Sequence, residues 1–157
     1  MNKEINDNYW MQICDMIAQA STCRVKIGCL IIRGNQIAGT GYVGSISGDY
    51  HCSDLVKGCL LVDNHGIKGS SDSGKSCIRT IHAEMNAVLK TKERGTEKDG
   101  WLECYCTYMP CLTCFQALLQ IGVRKIVYRN EYKDKWRDIY IENLHGKIIH
   151  NLHIVKL

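Results

Sequence analysis

Two short segments, 29 positions apart, constrain this chain more than anything else in it. The first is Ile81-His82-Ala83-Glu84-Met85-Asn86-Ala87 and the second is Met109-Pro110-Cys111-Leu112-Thr113-Cys114. One imidazole and two thiolates form a zinc-ligand set. Three protein ligands leave the fourth tetrahedral position open for water, whereas a closed structural site uses four. Each segment lies at the predicted start of a helix. Cys111 and Cys114 stand at i and i+3, so their sulfurs share one face of a first turn. The positive end of the helix there favours thiolates. Glu84 is not needed as a ligand, and a spare carboxylate beside a metal-held water is suited to carrying protons. Taken alone, His82 reads as a core histidine and Cys111-x-x-Cys114 as half a zinc knuckle or a redox pair. Together with Glu84 and Pro110 they read as a hydrolytic centre.

The rest of the chain alternates helix and strand signals. Trp10, Ile13, Cys14, Ile17 and Ala18 recur at helical spacing, which predicts an amphipathic helix over 8–21. Val25 to Ile32 is an apolar run suited to a buried strand. Arg33-Gly34-Asn35-Gln36 turns the chain, and Ile37 to Val43 runs back as a hairpin. Residues 44–76 are rich in Gly, Ser, Asp and His, without periodicity, as functional loops are. Helices are predicted over 83–93, 111–121 and 134–144, and strands over 101–107, 124–128 and 148–155. This order places helices on both sides of one mostly buried sheet, an α/β fold with three α/β/α layers in a single domain, 1–157.

Composition excludes several classes. Apolar residues make up 45% and charged residues 23%, ordinary for a globular chain. No apolar run approaches the ~18 residues of a membrane span, and the polar start, Met1 to Asn8, is not that of a signal peptide. Ten cysteines without a secretory signal argue for a reducing compartment and for metal over disulfides. Cys14, Cys29, Cys104 and Cys106 fall on helix or strand positions and read as core. The net charge of +4 comes wholly from residues 121–157, because residues 1–120 hold 12 basic and 12 acidic side chains. Asp134, Asp138 and Glu142 interrupt that basic run, so it reads as a solvated tail and not as a nucleic-acid surface.

His-x-Glu followed by Pro-Cys-x-x-Cys resembles the signature of the zinc nucleobase deaminases. Further stretches narrow the resemblance: Ser21-Thr22-Cys23-Arg24, Thr40-Gly41-Tyr42, Gly44-Ser45-Ile46-Ser47-Gly48, His51-Cys52, Cys77-Ile78-Arg79-Thr80 and Gly122-Val123-Arg124-Lys125-Ile126-Val127-Tyr128. To about Tyr132 the chain is similar to the deoxycytidylate (dCMP) deaminases of bacteria and bacteriophages, including the late-competence operon deaminases. That resemblance implies a cytidine-deaminase-like fold with a central mixed five-stranded sheet. It also implies hydrolysis of dCMP to dUMP and ammonia for thymidylate synthesis, in the cytoplasm, or in the host's if the chain is phage-encoded. It implies a homohexamer, activation by dCTP with Mg²⁺ and inhibition by dTTP, with no membrane or nucleic-acid partner. In the site it implies zinc on His82, Cys111 and Cys114 with Glu84 as proton carrier, Arg24 on the 5′-phosphate, Asn86 touching the nucleotide or buttressing the site, and Tyr132 near sugar and phosphate. A guanidinium suits the phosphate role because it binds phosphate bidentately.

Some relatives also hold a structural zinc in the early loops. Here Cys23, Cys52 and Cys77 are its candidates, with Cys59, His65 or His51 as a fourth, against the reading that these are small buried hydrophobes. The chain departs from the family pattern in three places. Val43 stands where relatives have a nucleotide-contacting Asn, residues 66–76 look like an insertion, and Cys23 sits one position closer to Gly28. The competing readings are a deaminase of another amino-bearing base, such as cytidine or a tRNA adenosine, and a non-catalytic zinc-stabilised nucleic-acid module. Glu84 has no task in the last of these.

Overall fold

Period-two alternation decides which way the central strands face. In β1 (Gly28–Arg33), Cys29 and Ile31 point to one side and Leu30 and Ile32 to the other. In β7 (Leu102–Tyr108), Cys104 and Cys106 join the first side and Tyr105 the second. In β8 (Val123–Asn130), Ile126 and Val127 divide in the same way. Both faces are apolar, so both must be covered. In the computed structural model of the chain, which describes residues 3–54, 58–63 and 75–157, helix α1 (Lys3–Ala18) covers one face with Trp10, Met11 and Cys14. On the other face, α2 (Ala83–Lys90) contributes Ala83 and Ala87, and α3 (Leu112–Gln120) contributes Phe115, Leu118 and Leu119. Helix α4 (Lys135–Glu142) packs Tyr140 and Ile141 against the same cluster.

The sheet is five-stranded and mixed, in the order β2-β1-β7-β8-β9, with β2 over Gln36–Tyr42 and β9 over His153–Lys156. The β1–β2 and β1–β7 pairs are antiparallel, and the β7–β8 and β8–β9 pairs are parallel. Two small ribbons stand apart: β3 (Gly44–Ser45) with β6 (Thr80–Ile81), and β4 (Leu61–Asp63) with β5 (Lys75–Cys77). The three-layer α/β/α arrangement and the mixed five-stranded sheet match the sequence reading.

Three expectations change. The predicted strand 148–155 is instead a short helix, α5 (Lys147–Asn151), followed by β9. Ile148 and Leu152, spaced by four and joined by a Leu152 N–H to Ile148 carbonyl bond, pack on the core from this turn, with Leu144 reaching it from the loop before. β1 begins at Gly28 and not at Val25. The basic C-terminal part is not solvated throughout: Arg137 is buried and Lys125 is paired with Asp7 and Glu103, while Arg129, Lys133, Lys135, Lys147 and Lys156 are exposed. Of the predicted insertion, residues 66–74 lie outside the described residues, as does His65.

β2 lies close against α2. A methyl group at Gly41 would stand 2.1 Å from the Ala83 carbonyl oxygen, and one at Gly39 would stand 2.1 Å from Thr91 Oγ1. Glycine is required where two backbones approach so nearly. The contact sets how closely α2 sits on β2, with the start of α3 beside it.

Candidate metal centre

The two ligand segments converge because two helices begin side by side on one sheet face. His82 is the N-cap of α2 and Cys111 the N-cap of α3, each with extended backbone, and neither side chain caps its own helix. An N-cap side chain usually bonds its own first turn. Here both turn to each other. Cys111 Sγ and Cys114 Sγ each lie 3.5 Å from His82 Nδ1. A tetrahedral zinc with Zn–S of about 2.3 Å and Zn–N of about 2.0 Å has nitrogen-to-sulfur edges of roughly 3.5 Å. The donor set therefore fits zinc without rearrangement.

The protonation balance agrees. The Cys111 thiol is held down to about 4, chiefly by a hydrogen bond from Cys114 and further by His82. Cys114, the donor to Cys111, is pushed up. The His82 imidazole, bonded to Cys111, is raised to about 9 against the opposing effect of burial. Three side chains sharing protons in this way form a site that a divalent cation would complete by displacing them.

Glu84, in the first turn of α2, is buried. Burial pushes its carboxyl up to about 7, against the pull of His82. It forms part of the wall of a cavity of about 470 Å³ that also reaches His82 and Cys111, a volume usual for small-molecule sites. Arg24, Tyr132, Cys23 and Val43 line the same cavity. Val25 and Ile27, expected in a strand, form an apolar wall there instead, with Met109. Burial and the Cys111 charge raise the Tyr132 hydroxyl. Asn86 is not among the lining residues. Its side-chain amide donates to the Tyr42 carbonyl at 2.9 Å, and the Ser21 hydroxyl donates to that of Val43 at 2.5 Å. Together they pin the Tyr42-Val43 wall, the buttressing alternative for Asn86.

Supports that sequence reading missed come from α4. Asp134 is buried and accepts from Leu112 N at 2.8 Å, from Trp136 N at 3.0 Å and from Arg137 N at 3.1 Å. It thus caps α4 and satisfies the first amide of α3 at once. Arg137 donates to the carbonyls of Pro110 (3.1 Å) and Tyr132 (2.8 Å). The Pro110–Leu112 corner and Tyr132 are therefore fixed by one buried pair. An Asp directly before a helical pattern was a visible cap signal, but nothing in one dimension shows its second bond.

Two further sulfur sets occur among the described residues. Cys52, Cys59 and Cys77 lie within 4.8 Å of one another. The Cys52–Cys77 sulfur distance is 3.7 Å, close to the roughly 3.8 Å edge of a tetrahedral zinc-thiolate site. Burial raises the Cys52 thiol. Desolvation also raises the Cys77 thiol, but backbone hydrogen bonds at Arg79 and Leu60, with those from Cys52 and Cys59, together lower it. Cys23 is outside this compact set, and His51 Nδ1 faces Thr22 Oγ1 at 3.2 Å. Cys29, Cys104 and Cys106 also cluster, at 3.4–3.7 Å, but they are wholly buried in the sheet face among Ala83, Ala87 and Phe115, in keeping with a core role. Cys14 is likewise buried and donates to the Tyr105 carbonyl at 3.2 Å.

Residues 4–130 match a family model described as the cytidine and deoxycytidylate deaminase zinc-binding region. The ComE operon protein 2 of Bacillus subtilis is 38% identical over 128 residues, which is 81% of this chain, and the chain spans 60% of that relative's length. The deoxycytidylate deaminase of Enterobacteria phage T4 is 32% identical, with 82% of this chain and 81% of that one aligned. The crystal structure of dCMP deaminase from the cyanophage S-TIM5, in complex with dCMP and dUMP, superposes with a TM-score of 0.67 at 26% identity, covering 100% of this chain and 99% of that one.

Proposed function

This chain belongs to the cytidine and deoxycytidylate deaminase family, and from that premise we propose that it hydrolyses dCMP to dUMP and ammonia, supplying dUMP for thymidylate synthesis. The observation that carries the reading is the meeting of His82, Cys111 and Cys114 beside a buried carboxylate that is not one of the ligands, in a cavity that also holds Arg24. His82, Cys111 and Cys114 would hold the zinc. When bound, zinc makes a water acidic enough to act as nucleophile at neutral pH.

Glu84 moves the protons. Burial raises its carboxyl above the usual carboxylate range, which suits a group that must accept a proton and then return it. It takes one from the attacking water and delivers it to the ring nitrogen N3 as C4 gains the hydroxyl. Glu84 then moves the proton of the new C4 hydroxyl to the exocyclic amine, so the C4–N bond breaks, ammonia leaves and the C4 carbonyl forms. Val25, Ile27 and Met109 exclude water from the ring. Arg24 takes the 5′-phosphate, and Tyr132 closes the sugar end.

The same reading includes a second, structural zinc on Cys52, Cys59 and Cys77, supported by their sulfur spacing, with Cys23, which lines the cavity beside Cys77, as the candidate fourth thiol. It includes a hexamer activated by dCTP·Mg²⁺ and inhibited by dTTP. Exposed Tyr42, Ile46 and Leu89 are apolar surface of the kind a subunit contact covers. The setting is the cytoplasm, the host's if the chain is phage-encoded, because ten free thiols in one chain need a reducing compartment. Among the described residues, no helix is long and apolar enough to cross a membrane.

The test is a spectrophotometric deamination assay of zinc-loaded protein on dCMP, CMP and deoxycytidine, each with and without dCTP·Mg²⁺ and dTTP. Turnover of dCMP well above that of deoxycytidine is the expected result. Activity on none of the three, with zinc verified, would overturn the substrate assignment.

A further inference from the structure

Two segments outside the central sheet frame the cavity away from the zinc ligands. One is the α1–β1 connection with Cys23, Arg24 and Val25, and the other is β5 with Lys75, Ser76 and Cys77. Arg24 and Lys75 are the two Lys or Arg side chains among the lining residues, and both are exposed. Among the described lining residues the one carboxylate, Glu84, stands at the zinc ligands. An anionic group on a ligand is therefore drawn to the Arg24 and Lys75 side of the cavity, away from the zinc ligands.

Sulfur ties the two segments together. Lys75 and Cys77 are two apart on one strand, so their side chains share a face. The register Asp63↔Lys75 and Leu61↔Cys77 fixes their spacing along the ribbon. Cys77 lies 3.7 Å from Cys52 through their sulfurs, and Cys52 is the direct neighbour of His51. Thr22 on the Arg24 side meets His51 at 3.2 Å. Residues 51 and 52 thus bracket the Arg24 loop and the Lys75 strand.

Resting on the dCMP reading, we propose that Lys75 is the second cation of the phosphate subsite, acting with Arg24 on the 5′-phosphate of the nucleotide, and that Cys77 with its sulfur cluster is a positioning residue for it. A phosphate monoester carries about −1.5 to −2 charge near pH 7 and three strong acceptor oxygens. One guanidinium neutralises about half of that charge and occupies two oxygens bidentately. The third oxygen is left for a point charge such as an ammonium.

The test compares wild type with Lys75→Ala, Lys75→Arg, Lys75→Glu and Cys52→Ser, all zinc-loaded. It measures kcat and KM for dCMP, together with the competitive inhibition constant of inorganic phosphate. Losing one charge-assisted bond to phosphate should raise KM about tenfold or more in Lys75→Ala. KM should rise further in Lys75→Glu and stay near wild type in Lys75→Arg, with kcat little changed and the phosphate inhibition constant rising in parallel. Cys52→Ser should raise KM in the same direction with loss of bound metal. KM and inhibition constant both within twofold of wild type in Lys75→Ala would overturn the assignment. So would a fall in kcat at constant KM, the mark of a merely structural residue. If Lys75→Ala behaves as expected while Cys52→Ser leaves KM unchanged, the positioning role of the cluster is overturned. Wild-type protein that fails on dCMP removes the functional reading itself, whereas active wild type with indifferent Lys75 variants removes this inference alone.

Discussion

Gly41→Ala tests how far the site depends on the closeness of β2 and α2. The added methyl carbon would stand 2.1 Å from the Ala83 carbonyl oxygen, 2.5 Å from the Ala87 nitrogen and 3.0 Å from the Asn86 carbonyl carbon. All three are backbone atoms of α2, so none can swing aside. Ordinary contact begins at roughly 3.4 Å, and the start of α2 must retreat by about 1 Å. Overpacking of this kind costs about 1–3 kcal/mol, or a fall in Tm of roughly 3–10 °C for a chain of this size. The segment that moves carries Glu84 and follows directly on His82. A displacement of about 1 Å at reacting groups costs on the order of 10²-fold in rate. Gly44→Ala is the control, since a methyl there meets only the Tyr42 ring at 3.5 and 3.7 Å. Thermal unfolding, zinc content and dCMP turnover would be measured on both variants. Gly41→Ala with wild-type Tm and turnover would refute the reasoning that this backbone contact sets the position of α2.

Glu84→Gln should retain zinc, read by metal analysis, and lose nearly all turnover; a near-normal rate would remove Glu84 as proton carrier. Cys111→Ala or Cys114→Ala should lose the catalytic metal as well as activity, and full zinc retention would break the ligand assignment. Asp134→Ala strips a helix cap and the partner of a buried amide, at roughly 2–4 kcal/mol. It should also weaken zinc binding by about 10–100-fold, read by urea unfolding and chelator competition; unchanged zinc affinity would confine Asp134 to capping. Metal analysis of wild type should give two zincs per chain, and one would end the reading of Cys52, Cys59 and Cys77 as a metal site.

The parts of this molecule that were legible in its sequence are those written in local pattern. The β1–β2 hairpin followed from an apolar run, a polar turn and Gly34, which takes φ +58°. The starts of α2 and α3 followed from the ligand residues themselves. Where one-dimensional pattern admits two answers, the reading failed. Ile148 to Val155 has the composition of a strand, yet Ile148 and Leu152 reach the core from one helical turn. Val25 and Ile27 are apolar because they line a cavity, not because they pair in a sheet. Asp134 and Lys125 looked solvated because their partners, Leu112, Asp7 and Glu103, are 22 to 118 positions away. No periodicity encodes such a pairing, and Lys75 escaped notice for the same reason.

The His82–Cys111–Cys114 constellation also has a place in the order of assembly. β7, α3 and β8 form a local unit whose parallel strands are joined by one short helix. The β1–β2 hairpin is local too, and α2 lies across it. These two halves meet along the β1–β7 seam, where Cys29 and Cys106 pair across 77 positions. Long-range pairing of this kind carries the larger loop-closure cost and forms late. His82 belongs to the first half, and Cys111 and Cys114 to the second. A cation held among them is a staple across the seam. Chelation should therefore speed amide exchange in β1 and β7 before it does so within either half. The seam that such a cation would staple is the one that carries the chemistry.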